Sequence, residues 1–131
     1  MEYHIGSISS GGQLYACWGS GSSVYSTCVQ GLNPEDVLSE LKANLYALYM
    51  VLYHDRKKGM VTYILTSSVK LVASIRDGSY YGDYSVWALR NMIKIMHKDR
   101  KRELKPLPTV RFKMISKEDN PSCQKDPKTM T

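Results

Sequence analysis

The chain has 131 residues, which is the size of one domain with a single hydrophobic core. It is 43% hydrophobic and 23% charged, as ordinary globular proteins are, and no apolar run approaches the roughly 18 residues of a membrane span. The first ten residues lack the basic start and apolar stretch of a secretory signal. We therefore expect a soluble protein of the cytoplasm or nucleus that has no contact with a membrane.

The cysteine, histidine and charge content narrows the classes further. The three cysteines and three histidines show neither a metal-ligand spacing nor a disulfide framework, so no metal site is indicated. Lysine and arginine number 18 against 12 aspartates and glutamates, and the formal net charge is +6. This surplus favours contact with polyanions, although a merely solubilising surface has the same composition.

Three short stretches near the N-terminus are rich in Tyr, Ile, Val, Cys and Trp, and Gly and Ser separate them. They cover residues 2–9, 13–19 and 23–30. The Gly-Ser breaks between them supply the chemistry of tight turns, and apolar and polar residues alternate within the second stretch. The sequence predicts an antiparallel meander of three strands.

A proline-containing cap precedes the most regular helical pattern of the chain. Asn33-Pro34-Glu35-Asp36 offers an N-cap, a proline at the first helical position and two acids in the first turn. Five leucines follow at spacings of three, four, three and four, which places them on one helical face. They are Leu38, Leu41, Leu45, Leu48 and Leu52. The pattern predicts a helix that begins at the cap and ends between residues 54 and 59.

A further strand and a short helix are predicted next. Residues 60–66 are continuously apolar or β-branched, as in a central strand that is covered on both faces. Ser67 and Ser68 can cap a short helix that extends to Ile75. A Gly- and Tyr-rich loop over residues 76–82 separates this helix from the next one.

The remaining residues predict one more helix, one strand and a tail. Apolar residues at helical spacing predict a helix over residues 83–103, and two prolines follow it. Residues 110–114 alternate as a strand with one basic face. Residues 117–131 are mostly polar and are expected to form a flexible tail, which leaves a domain of residues 1–116.

This order of elements resembles the ribonuclease H family, and short sequence words agree with it. The words resemble the family's opening Asp-Gly-Ser, its glutamate-bearing helix, its Thr-Asp-Ser strand end, its tryptophan-bearing helix and its Asn-containing segment. In this chain they read Ile5-Gly6-Ser7, Glu40-Leu41, Thr66-Ser67-Ser68, Val86-Trp87 and Asp119-Asn120-Pro121. The resemblance implies an α/β fold whose five-stranded mixed sheet has three antiparallel strands and two later parallel strands, flanked by helices.

The resemblance also implies a site where two Mg²⁺ ions, about 3.5–4 Å apart, are bridged by clustered carboxylates. This chain departs from that pattern at three of four positions. Ile5 and Ser67 stand where the family has aspartates, and Gln124 falls at the last acidic position, so Glu40 is the one relic ligand. We therefore expect no metal, no confident catalytic residue and no ordinary two-metal catalysis.

A basic cluster suggests what such a domain would contact. Lysines and arginines gather at the end of the second long helix and on the last strand, and tyrosines lie in the preceding loop. The candidates for nucleic-acid binding are Lys94, Lys98, Arg100, Lys101, Arg102, Arg111 and Lys113, with Tyr80, Tyr81 and Tyr84 as stacking partners. A solvated helix end and core-covering tyrosines are the alternative interpretation.

Three hypotheses remain open from the sequence. The preferred one is a catalytically degenerate ribonuclease H-like module that binds nucleic acid or a nucleic-acid-processing protein through its basic face. The second is a divergent Mg²⁺-dependent ribonuclease H that cleaves the RNA of hybrids and uses Glu40 with Asp77, Asp119 or Asp126. The third is a protein–protein interaction or inhibitor protein of viral or mobile-element origin. The sequence identifies neither the partner nor the oligomeric state.

Overall fold

The computed structural model describes residues 2–54, 61–102 and 109–124, with the backbone alone for residues 61, 96–102 and 109. Five strands and three helices make up this part of the chain. The strands are β1 (Glu2–Ser10), β2 (Gln13–Ser20), β3 (Ser23–Cys28), β4 (Val61–Thr66) and β5 (Thr109–Met114). The helices are α1 (Ser39–His54), α2 (Val69–Asp77) and α3 (Tyr84–Arg102), and a 3₁₀ turn follows at Pro121–Cys123. The predicted elements are therefore present in the predicted order.

The strands form one sheet in the order β3-β2-β1-β4-β5. The meander β1-β2-β3 is antiparallel, whereas β4 pairs in parallel with β1 and β5 pairs in parallel with β4. Parallel neighbours need a long crossover, which α1 supplies between β3 and β4 and which α2 and α3 supply between β4 and β5. The predicted five-stranded mixed sheet is confirmed.

The core lies between the sheet and α1. Leu41, Leu45, Leu48 and Leu52 are all buried, as the leucine spacing predicts. They pack on β1 and β2 and, at the side, against α3. Burying each of these side chains contributes about 1.5–3 kcal/mol, so the leucine face of α1 is a main contributor to the stability of the fold.

The start of α1 differs from the prediction. The helix begins at Ser39 and not at Asn33, because the polar side chains of the predicted cap form turns of their own. The Asn33 carboxamide accepts from the Glu35 N–H at 3.0 Å, and Asp36 accepts from the Leu38 N–H at 2.9 Å. Asn and Asp side chains offer the backbone this local alternative to a helix.

A buried lysine joins this turn to α3. Lys42 is 5% exposed, and its ammonium lies 2.7 Å from the Asp36 carboxylate and 3.2 Å from that of Asp83. Burial opposes the charge on Lys42, but the hydrogen bonds to both carboxylates outweigh it and raise its pKa. Asp83 also caps α3 by accepting from the Ser85 and Val86 N–H groups. The ion pairs therefore hold the first turns of two helices together.

Part of the segment that follows β5 packs against the sheet. Asn120 and Ser122 are fully buried, and the 3₁₀ turn covers β1 on the face opposite α1. Its approach requires a glycine, since a Cβ on Gly6 would lie 2.6 Å from Cys123 Sγ. These contacts lie within the predicted tail of residues 117–131, of which residues 125–131 are outside the described part.

Within residues 2–54, 61–102 and 109–124, none of the helices combines the length and the apolar character that crossing a bilayer requires.

Candidate functional site

The site implied by the sequence lies where β1 and β4 run side by side. Ile5 follows directly after the paired residues of these strands, and Ser67 follows the last residue of β4. Ile5 is fully buried and belongs to the core cluster together with leucines of α1. The first position of the implied carboxylate cluster is thus a core hydrocarbon that offers no atom to a metal.

A buried amide fills the space between the two strands. Asn120 Nδ2 donates to the Ile5 carbonyl at 2.8 Å and to Ser67 Oγ at 3.4 Å. Ser67 Oγ also lies 3.7 Å from Cys123 Sγ. The side chain of Asn120 is held in this position because its Oδ1 caps the 3₁₀ turn by accepting from the Ser122 N–H. The space at the ends of β1 and β4 is therefore occupied by neutral groups that hydrogen-bond to one another.

Glu40, the acid that the resemblance assigns as a relic ligand, lines a groove of about 520 Å³ between β1 and the start of α1, and Asp36 lines it as well. Ser7, Ser9 and Ser39 contribute hydroxyls to this groove. Lys117 lines it too, and its ammonium is 3.8 Å from Glu40 Oε1. Both side chains are well exposed, at 69% for Glu40 and 63% for Lys117. A lysine therefore supplies positive charge beside the Glu40 carboxylate.

The other candidate acids do not complete the site. Asp119 accepts a hydrogen bond from Ser116 Oγ at 2.8 Å, and Asp77 lies exposed at the end of α2. The Gln124 side chain donates to the Lys117 carbonyl. Asp126 lies outside the described residues. Among the residues that the structure describes, no three His, Cys, Asp or Glu side chains gather in a way that could hold a metal ion.

The described donors at this place do not fit a pair of Mg²⁺ ions. Hard divalent cations require several oxygen ligands, and bridging two of them takes more than one carboxylate. Here the donors between the strands are an amide and a hydroxyl that hydrogen-bond each other, and the ammonium of Lys117 lies beside Glu40.

Neither family models nor curated proteins match this sequence. Solved structures do match. The chain is similar to RNase H1 from the halophilic archaeon Halobacterium salinarum, with a TM-score of 0.59 and 10% identity over 88% of this chain and 84% of that one. The chain has a ribonuclease H-like fold. It is also similar to LC11-RNase H1 in complex with an RNA/DNA hybrid, with a TM-score of 0.55 and 12% identity over 91% of this chain and 87% of that one.

The ribonuclease H-like sheet separates the predicted basic residues into two groups. Arg111 and Lys113 alternate along β5 with Val110 and Phe112, which pack toward the core on the helix side. The two cations therefore project from the opposite face, where both are exposed. Lys94 belongs to the helix layer, where its ammonium lies 5.6 Å from the centroid of the Tyr81 ring. The side chains of Lys98, Arg100, Lys101 and Arg102, all on α3, lie outside the description.

A second groove, here called the β5 groove, lies along the outer edge of β5. It measures about 590 Å³, and its lining includes Arg76 from the end of α2, Arg111, Lys113 and Tyr63. The Tyr63 ring is 42% exposed, and no acidic residue is among the described residues that line the groove. Sequence reasoning missed Arg76 and Tyr63, because they join the basic strand only through the parallel pairing of β4 with β5.

Proposed function

We propose that this chain is a nucleic-acid-binding module of ribonuclease H-like fold that does not hydrolyse its ligand by two-metal catalysis. The observation that carries the proposal is the β5 groove. Its lining combines three cations from α2 and β5 with an exposed aromatic ring. Lysine and arginine bind phosphates through charge, and a tyrosine ring stacks on a base whatever its sequence.

The fold and the net charge support the choice of ligand. The similar LC11 protein has been solved with an RNA/DNA hybrid, and the present chain carries a formal charge of +6. A polyanion is attracted to such a surface at long range, and it releases counterions when it binds. We therefore assign a nucleic acid, and not a nucleic-acid-processing protein, as the ligand of the β5 groove.

The proposal that hydrolysis is absent is supported by the groups that stand between β1 and β4. Restoring a metal site there would require a carboxylate in place of Ile5, which is part of the core, and release of Ser67 from Asn120. The charge of Glu40 is compensated by Lys117. A module with these groups between β1 and β4 can bind nucleic acid without hydrolysing it.

Binding is tested by fluorescence anisotropy with a labelled RNA/DNA hybrid at several salt concentrations. We expect a linear fall of log affinity with log salt concentration. The double variant Arg111→Ala/Lys113→Ala should weaken binding about tenfold or more and lower the salt slope by about two, since each lost phosphate contact removes about one unit of slope. Lys70→Ala, which removes an exposed lysine on α2 outside the groove, is the matched control and should change little.

Catalysis is tested with the same hybrid in the presence of Mg²⁺ or Mn²⁺. We expect no cleavage above that of a protein-free control. Cleavage by the native protein that disappears in Glu40→Gln would overturn this part of the proposal and establish a divergent ribonuclease H. Binding that is insensitive to salt and to the Arg111/Lys113 variant would overturn the assignment of the β5 groove.

A further inference from the structure

The outer face of α3 exposes a row of large apolar side chains. Tyr84 is 77% exposed, Trp87 45%, Met92 40% and Ile95 51%. The rings of Tyr84 and Trp87 lie against each other with centroids 5.9 Å apart. Singly exposed apolar residues are common on proteins, but a contiguous row on one element usually marks an interaction site.

Helical geometry places these four side chains on one stripe, here called the α3 stripe. Residues three and four apart are neighbours on a helix surface, and Tyr84, Trp87, Asn91 and Ile95 follow that spacing, with Met92 beside them. Over residues 84–95, whose side chains are described, the buried residues of α3 are Val86 and Ile93, which join the core on the opposite side. Helix α3 thus has two apolar faces, and among the residues that the structure describes only one of these faces is packed into the core.

The composition of the α3 stripe favours a helix as its occupant. Tyr84 and Trp87 are residue types that dominate binding energy in protein interfaces. Met92 and Ile95 are aliphatic and cannot stack on bases as aromatic rings do, which argues against a nucleic acid. Asn91 lies in the middle of the row, and a polar residue within a narrow apolar seam is typical of helix–helix contacts and costly in lipid.

Charge selects the kind of helix. The sequence of α3 contains one acid, Asp99, and six lysines and arginines: Arg90, Lys94, Lys98, Arg100, Lys101 and Arg102. A second copy of this chain would bring like charges together along the contact, whereas an acidic partner would be attracted. We propose that the α3 stripe binds an amphipathic helix of a partner protein whose apolar seam is flanked by aspartate and glutamate. This surface is separate from the β5 groove, and the inference does not rest on nucleic-acid binding.

The test uses the full chain and two synthetic helical peptides of about 21 residues, or three heptads, with one and the same leucine seam. One peptide carries glutamate on both flanks of the seam and the other carries lysine. We expect the glutamate peptide to bind at least about tenfold more tightly at about 0.15 M salt. Ile95→Ser and Trp87→Ala should each weaken its binding about tenfold or more, as interface anchors do.

The matched control is Val69→Ser, which removes an apolar side chain that is 71% exposed on α2. It should alter peptide affinity less than about twofold, as surface substitutions outside an interface do. All three variants alter exposed positions, and circular dichroism verifies their folding. Equal affinity for the two peptides, or a glutamate peptide that binds Ile95→Ser as well as the native chain, would overturn the proposal.

Two further outcomes would assign the α3 stripe to a different occupant and so also overturn it. The first is a dimer in sedimentation equilibrium that Ile95→Ser dissociates, because the occupant would then be a second copy. The second is binding to phosphatidylserine-containing vesicles that Ile95→Ser abolishes while neither peptide binds. The hybrid-binding assay is independent of all these results, since its variants lie on β5.

Discussion

The Lys117 ammonium lies 3.8 Å from the carboxylate of Glu40, and both residues line the groove between β1 and α1. The chain itself thus places a cation beside this carboxylate. Both partners are exposed, so solvent screens their attraction and the pair adds little to stability.

The first prediction concerns Mg²⁺. A ligand that binds only the folded state raises the melting temperature. Because Asp36, the other carboxylate that lines the groove, is already paired with Lys42, we expect millimolar Mg²⁺ to shift the melting curve of the native chain and of Glu40→Gln equally. Differential scanning fluorimetry checks this, with CaCl₂ as a control for ionic effects. A rise in melting temperature that only the native chain shows would reveal a Glu40-dependent metal site.

The second prediction concerns Ile5. Its side chain is fully buried against α1, so Ile5→Asp would place a carboxylate in an apolar core without a partner. We expect this variant to lose about 3 kcal/mol or more of unfolding free energy, or to fail to fold, whereas Ile5→Val should lose only about 0.5–1.5 kcal/mol. Urea denaturation measures both. A stable Ile5→Asp variant that gains Mg²⁺-dependent cleavage would show that the site is readily restored.

The fold was largely predictable because its signals are local. The leucine spacing from Leu41 to Leu52, the Ser68 cap of α2 and the Asp83 cap of α3 each depend on residues within a few positions. The predicted start of α1 was wrong for a local reason as well, since the side chains of Asn33 and Asp36 form turns where the helix was expected. Periodicity predicts a buried face well but does not decide between two uses of a short polar side chain.

The candidate sites were less predictable, because each joins distant parts of the chain. The sequence shows that Ile5 and Ser67 lack carboxylates, but it does not show that Asn120 bridges them. Arg76 lies 35 positions before Arg111, and the two residues line one groove because β5 pairs with β4, the strand that precedes α2. Side-chain direction on β5 likewise depends on which face α1 covers, and this separates Arg111 from Lys94.

The third prediction concerns the turn before α1. Asp36 bonds to the Leu38 N–H and to buried Lys42, and the hydrogen bond from Lys42 holds the pKa of Asp36 below its usual range. We expect Asp36→Asn to destabilise the fold, because Lys42 would lose one of its two carboxylates while remaining buried. Glu35→Gln, which changes an exposed neighbouring acid, should have almost no effect. Parallel urea titrations compare the two, and equal losses would contradict the role of the Asp36–Lys42 pair.

The last prediction concerns the pH dependence of folding, which His4 should control near neutrality. The imidazole is 3% exposed, with Nε2 3.1 Å from the Gly21 carbonyl and Nδ1 2.6 Å from Ser122 Oγ. The Gly21 carbonyl can only accept, so Nε2 carries a proton; a neutral ring then accepts at Nδ1 when the Ser122 hydroxyl points to it and not to the His4 carbonyl, which lies 3.2 Å from the same hydroxyl. Burial lowers the pKa of His4 in the folded state, against a weaker opposing effect of the Gly21 hydrogen bond.

Because the folded pKa lies below the unfolded value near 6.5, stability is complete above that pH and declines as the pH falls below it. In that range the unfolded chain takes up a proton that the folded chain does not, at a cost of at most about 1.4 kcal/mol per pH unit. Urea titrations between about pH 5 and 8 should show this slope in the native chain and in His54→Gln, whose imidazole is exposed. The slope should flatten in His4→Gln, even if that variant is less stable overall, since the difference lies in the pH dependence and not in the absolute value. A slope that persists unchanged in His4→Gln would assign the titration to another group and would contradict the buried neutral imidazole that joins β1 to the 3₁₀ turn.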